Sequence, residues 1–330
     1  MGLTGPMVGP ASATPETPPP EGDPDAPSVA TSPELFAPVA TGVELCYQTF
    51  GDPEDPPMLL VMGLATQMTY WDTAFCSMLA RRGYFVVRFD NRDVGRSSRG
   101  RGRVTRSMLV RAFLGRRVRP PYTMDTLADD AFGLMDHLGV ESAHLVGVSM
   151  GGMIVQTMTL ARPDRVRSLA SIMSTTGKRS VGWQDPRLMP ALLKPARPGP
   201  EAYAESSLIM WRLIGSPGYP RADDETRALA AEAYDRGVSA SGAMRQMMAI
   251  LTQPNRSERL RGVRVPTLVV HGLADKMVHV SGGRATAAAV PGAELLLVEG
   301  MGHDLPTELF ATFVDAVDRN AHRTGRQSSR

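Results

Sequence analysis

The architecture turns on Ala143-His144-Leu145-Val146-Gly147-Val148-Ser149-Met150-Gly151-Gly152-Met153-Ile154. Ala143–Val148 is a short apolar run, as a strand buried on both faces requires. Residues 151–162 then read as a helix closed by Pro163. Between the two, Gly147-Val148-Ser149-Met150-Gly151 has the pattern G-x-S-x-G. Alone that pattern is weak. Set between strand and helix, it describes a tight, strained turn that lifts a serine hydroxyl above a sheet, with flanking glycines that permit the turn. The helix aims its N-terminus, the positive end of its dipole, at the same place.

Outward from this turn the chain alternates. Residues 42–50, 58–62 and 84–89 read as strands upstream, and 166–173, 267–271 and 294–298 downstream. Helical spacing falls over 73–82, 125–138, 284–290 and 306–321. Such alternation predicts an α/β fold with a mainly parallel, eight-stranded sheet and helices on both faces. The stretch 175–253 breaks the rhythm with helical patterns over 201–214, 223–236 and 242–251 and no convincing strand. It reads as a helical lid inserted between core segments 34–174 and 254–320. Residues 1–33 are rich in Pro, Gly, Ala, Thr and Ser, and residues 321–330 are polar; both read as disordered, the first as an extension and the second as a tail.

A serine hydroxyl is a poor nucleophile at neutral pH and needs a base beside it. Behind a turn of this kind the partners follow in chain order serine, acid, histidine. Of the histidines that follow the lid, His271, His279 and His303 are the candidates. His303 lies in the loop Gly300-Met301-Gly302-His303, at the carboxyl end of a strand, where ligands meet such sheets. His271 ends its own strand and reads as structural, and His279 as a surface or lid contact. The acid falls on Asp275, in the loop after residues 267–271. Asp304 adjoins His303 in sequence and is poorly placed to accept from its ring. Two backbone N–H groups are needed for an oxyanion: that of Met150, and that of Leu64 in Met62-Gly63-Leu64-Ala65-Thr66. Trp71, Trp183, Trp211 and Met248 are candidate pocket residues; for Trp71 and for the stripe Met244, Met247, Met248 and Leu251, core packing is the competing reading.

The chain has 330 residues, 42% hydrophobic and 21% charged, enough to bury a core without metals or disulfides. Two cysteines, Cys46 and Cys76, make neither a disulfide framework nor a zinc cluster. No His/Cys/Asp/Glu cluster has metal-ligand spacing, so no metal and no cofactor is expected. No stretch of 18 apolar residues predicts a membrane span, and Met1 to Pro10 lack the pattern of a secretory signal, so the expected location is cytoplasmic. Net charge is +2, unevenly spread. No Lys or Arg precedes Arg81, and no acid lies between Val94 and Met124, where nine arginines run from Arg96 to Arg119. These read as a solvated, mobile basic loop, or else as a site for an anionic substrate or surface. No nucleic-acid motif accompanies them, so no nucleic-acid partner is expected.

The phrases Val61-Met62-Gly63-Leu64-Ala65-Thr66-Gln67-Met68, Arg88-Phe89-Asp90-Asn91-Arg92-Asp93-Val94-Gly95-Arg96-Ser97, Gly147 to Gly152 and Val265 to Asp275 carry a family resemblance. The chain resembles the α/β-hydrolase superfamily over about residues 38–320. Within it the chain is similar to the aclacinomycin methylesterase-like branch of bacterial esterases. The resemblance implies a carboxylic-ester hydrolase acting through an acyl-enzyme on a small-molecule ester, with a methyl ester of a bulky, polyketide-like substrate as the finer implication. C–C bond hydrolysis and cofactor-free perhydrolysis are the alternatives on the same three residues. A non-enzymatic ligand receptor is a further one, against which an intact Ser149, Asp275 and His303 argue. Many relatives carry His-Gly where this chain has Met62-Gly63; the change removes an imidazole but neither backbone donor.

Overall fold

The computed structural model describes residues 7–8, 28–193 and 199–323. Its strands are β1 (Met7–Val8), β2 (Leu35–Val39), β3 (Val43–Phe50), β4 (Pro57–Val61), β5 (Phe85–Phe89), β6 (Ala143–Val148), β7 (Val166–Ile172), β8 (Thr267–Gly272) and β9 (Glu294–Val298). They form one sheet in the order β1-β9-β8-β7-β6-β4-β5-β3-β2. The pairs β2/β3 and β3/β5 are antiparallel, and every other pair is parallel. Eight strands were expected; β1 adds a ninth, two residues long, alongside β9. The extension expected to be disordered over 1–33 is thereby corrected in part. Besides β1, Ser32 N–H donates to Thr49 O and Thr49 N–H to Ser32 Oγ, both at 3.0 Å, and Thr31 bridges Phe50. Residues 1–6, 9–27 and 324–330 of the two expected tails lie outside the described residues, and Ala321 and His322 belong to the last helix.

The helices are α1 (Thr73–Ala80), α2 (Arg106–Phe113), α3 (Met124–His137), α4 (Met150–Ala161), α5 (Met189–Leu193), α6 (Pro200–Ile214), α7 (Asp223–Arg236), α8 (Ala240–Thr252), α9 (Ser257–Leu260), α10 (Ser281–Ala289) and α11 (Phe310–His322). The sheet divides two apolar layers. One holds Phe75, Leu79, Phe313 and Val317 of α1 and α11 against Leu60, Val86 and Val270. The other holds Leu127, Phe132, Ile154 and Met158 of α3 and α4 against Leu59, Val87 and Leu145. The central strands β5, β6 and β8 are buried at every position, which explains why apolar residues dominate them.

The helices α6 to α8 cross over from β7 and return to β8. Buried ion pairs fasten them to the sheet. Arg236 of α7 binds Asp90 at 2.9 Å, and Arg245 of α8 binds Asp93 at 2.6 Å. Burial alone would raise the Asp93 carboxyl; hydrogen bonds from Arg245 and Tyr122 hold it below its usual range. Removing one partner of such a pair leaves an uncompensated buried charge, a cost of about 3–5 kcal/mol. The basic stretch after Val94 is not a plain loop: it contains α2, whose Ala112 packs with Met248 of α8 and Val104.

Candidate active site

The turn between β6 and α4 carries Ser149 at φ 55° and ψ −115°, a conformation that L residues rarely adopt. The strain, of order 1–3 kcal/mol, persists only where neighbours fix the turn. They do: Ser149 N–H donates to Ile172 O at 2.9 Å, and Ser174 Oγ donates to Ser149 O at 2.7 Å. A Cβ on Gly147 would lie 2.3 Å from Gly151 O, and one on Gly151 would lie 1.9 Å from Val61 O. Both glycines are therefore demanded by space.

Three loops at the carboxyl ends of β6, β8 and β9 bring Ser149, Asp275 and His303 into one line. His303 Nε2 lies 3.0 Å from Ser149 Oγ, and His303 Nδ1 lies 2.8 Å from Asp275 Oδ2. Asp275 Oδ1 accepts from the N–H groups of Met277 and Val278 at 2.9 and 2.8 Å. Burial opposes the charge on Asp275. His303 beside it and hydrogen bonds from His271 and His303 outweigh that, and the carboxyl is held well below its usual range. An ionised Asp275 can only accept, so Nδ1 of His303 carries the proton and Nε2 is left to accept from Ser149. This arrangement can draw a proton from a serine hydroxyl as that hydroxyl attacks.

The loop after β4 passes the serine closely: a Cβ on Gly63 would sit 3.2 Å from Ser149 Cβ. The backbone N–H groups of Leu64 and Met150 have no acceptor among the described residues. Met150 is the first residue of α4, where an N–H has no partner within the helix. Three side chains hold this loop, and one of them, Gln246, lies in no motif. Gln246 Oε1 of α8 accepts from Ala65 N–H at 2.7 Å, and Asp90 Oδ1 accepts from Met68 N–H at 2.7 Å. Asn91 Nδ2 donates to Met62 O at 3.0 Å.

The lid also grips the His303 loop. His303 N–H donates to Ile214 O at 2.7 Å, Gly218 N–H to Gly300 O at 2.9 Å, and Gly302 N–H to Ser216 Oγ at 2.8 Å. Ser216 Oγ in turn donates to Asp304 Oδ1. Asp304 thus points at the lid and not at His303. Burial pushes its carboxyl above the usual range, against the Ser216 hydrogen bond and Arg221. A carboxyl raised in the folded state contributes stability that is complete below its unfolded pKa and lost as pH rises through its folded one. Asp304→Asn, which keeps an oxygen for Ser216, should remove this loss. Melting curves across pH should show the variant gaining on wild type as pH rises above the ordinary carboxylate range, with no such gain in acid. A constant offset at all pH values would contradict the assignment.

The candidate pocket residues separate. Trp71 is fully buried and stacks on Phe75 with ring centroids 5.5 Å apart, and Met248 is fully buried beneath α2. Both are corrected to core residues, since neither presents surface to a ligand. Trp183 is half-exposed and stacks on His279 at 4.2 Å, beside the loop that carries Asp275. Trp211, one turn before Ile214, stacks on Tyr70 at 5.8 Å and so joins the lid to the loop after β4. His271 is fully buried; its Nε2 lies 2.7 Å from Val278 O and 3.4 Å from Asp275 Oδ2.

A strand–turn–helix serine beneath a helical lid on a mainly parallel sheet defines a class. The family model described as the alpha/beta hydrolase fold matches residues 56–308, and the chain belongs to that family. Among characterised proteins it is similar to rhodomycin D methylesterase DnrP of Streptomyces peucetius, 29% identical across 83% of this chain and 94% of that enzyme. It is also similar to 3-oxoadipate enol-lactonase 2 of Acinetobacter baylyi, 24% identical across 74% of this chain and 81% of that enzyme. Among solved structures, the enol-lactonase from Burkholderia xenovorans LB400 superposes with a TM-score of 0.69 at 23% identity, covering 87% of this chain and 100% of that one. That likeness concerns the fold.

Proposed function

We propose that the protein hydrolyses a carboxylic ester, a methyl ester on a bulky substrate, through an acyl-enzyme on Ser149. The observation that carries this reading is the line Asp275–His303–Ser149 at the strained turn, with the free N–H groups of Leu64 and Met150 beside it. The choice of a methyl ester leans on the similarity to the rhodomycin D methylesterases. Ser149 Oγ attacks the ester carbon while its proton passes to His303 Nε2. The carbonyl oxygen becomes an oxyanion facing Leu64 and Met150 N–H, donors already in place as charge develops. Asp275 stabilises the imidazolium and keeps its orientation. The C–O bond breaks, His303 gives the proton to the departing alkoxide, and methanol leaves. Water, deprotonated by His303, then attacks the acyl carbon and frees Ser149 and the acid. The test is product analysis on a polycyclic aromatic methyl ester beside a vinylogous diketone cleaved at carbon. Methanol release from the first, outpacing cleavage of the second, is expected. The reverse order would replace the ester reading with the C–C one.

The pair Tyr70–Trp211 is proposed to shape the acyl side of the pocket. An apolar wall discriminates by about 1–3 kcal/mol per methylene-sized difference. Trp211→Ala should therefore shift the kcat/KM ratio of bulky to minimal esters by about tenfold or more. An equal loss on all esters would give Trp211 a folding role instead.

A further inference from the structure

The arginine-rich segment has no part in the chemistry above, and its surface is unusual. Of its nine arginines, Arg96 pairs with Glu34, and Arg99 bonds to the carbonyls of Gly95 and Gly237. The remaining seven, from Arg101 to Arg119, make no side-chain hydrogen bond or ion pair among the described residues. Within this field of positive charge α2 turns large apolar side chains outward. Val110 is 57% exposed, Phe113 58% and Leu114 64%, the three most exposed large hydrophobic residues described. The opposite side of the helix is anchored: Ala112, Met108 and Leu109 pack on Met244, Met248 and Leu251 of α8. Arg179 hydrogen-bonds the carbonyls of Ala112 and Phe113 at the helix end and brings one more cation.

We infer that this face docks onto an anionic phospholipid bilayer, with Val110, Phe113 and Leu114 dipping among the acyl chains and the surrounding arginines bound to headgroup phosphates. The pairing of exposed apolar groups with unpaired cations and no acid matches the two phases of such a surface: oil within and negative charge at the rim. A second copy of the chain would set arginine field against arginine field. The acidic stretch at residues 9–27 has the right sign, with Glu16, Glu21, Asp23 and Asp25, but contains no Val, Leu, Ile, Met or aromatic residue to cover the exposed apolar groups. Nucleic acid offers phosphates but no matching oil. No described helix is long and apolar enough to cross a membrane, so contact of this kind is peripheral. The face lies close to the candidate site: α2 packs on α8, and α8 supplies Gln246 to the loop that carries Leu64. The inference does not depend on the reaction proposed above.

The test is sedimentation of the full chain with vesicles of phosphatidylcholine alone or with about 30% phosphatidylglycerol. Binding is expected to the anionic vesicles and to be at least about tenfold weaker to the neutral ones, since each cation near such a surface contributes about fivefold. It should weaken as salt rises from about 0.1 M to 0.5 M. Two exposed variants separate the contributions: Val110→Ser with Phe113→Ser and Leu114→Ser, and Arg116→Gln with Arg117→Gln. Each should lower binding by about tenfold or more with an unchanged melting temperature and unchanged turnover of a soluble acetate ester. Absence of binding to anionic vesicles would overturn the inference. So would binding that the apolar triple variant leaves intact and that RNA displaces, which marks a general polyanion surface.

Discussion

Ser149→Ala is expected to lower kcat by a factor on the order of 10^4 to 10^6 while leaving the fold and substrate binding in place. The serine is half-exposed at the turn, and no bond that fixes the turn uses its hydroxyl except the one to His303. The backbone bonds to Ile172 and Ser174 survive the substitution. Alanine occupies the same unfavourable φ, so stability should change by under about 1 kcal/mol. The residual rate belongs to the oxyanion donors and to binding, which do not need the hydroxyl. Near-normal turnover with a normal melting curve would place the nucleophile elsewhere.

Asp275→Asn is the second large loss, about 10^4-fold in kcat. The asparagine can keep the oxygen that accepts from Met277 and Val278 N–H, so the loop should hold. Its amide nitrogen then faces His303 Nδ1. Donor meets donor unless the imidazole moves its proton to Nε2, and then Nε2 cannot accept from Ser149. A second consequence concerns stability. The Asp275 carboxyl is depressed in the folded state, so its contribution is present above its unfolded pKa and lost as pH falls through the folded one. The asparagine variant should therefore be less stable than wild type at neutral pH and converge on it in acid. Kinetics and melting curves on one preparation check both. A variant that retains most of its activity would make Asp275 a loop residue only.

Much of this was written locally in the chain. The strands β4 to β9 are short runs rich in apolar residues, readable to within a residue because burial on both faces leaves few polar positions to blur them. Strand β2 escaped notice because it is an antiparallel edge with Pro38 inside it and mostly exposed side chains. Helix α2 escaped because arginines crowd its short apolar face, and only α8, far along the chain, buries it. Ser149, Asp275 and His303 could be named because each sits in a loop directly after a recognisable strand. The supports around them could not. Gln246 reaches the loop after β4 across 181 positions, and Ser216 reaches Gly302 across 86. Such pairings exist only once the lid has folded over the sheet and leave no periodic trace. Trp71 and Met248 show the same limit: spacing puts an apolar residue on an element, but only packing decides which way it faces.

Ser149 is the residue proposed to carry the acyl group. The most direct measurement is mass spectrometry of the intact and digested protein after reaction with a fluorophosphonate, beside the same reaction on Ser149→Ala and on wild type in denaturant. One adduct per chain is expected, on the peptide containing Ser149, formed together with loss of esterase activity and absent in both controls. An adduct on another residue, or full activity in protein labelled at Ser149, would contradict it.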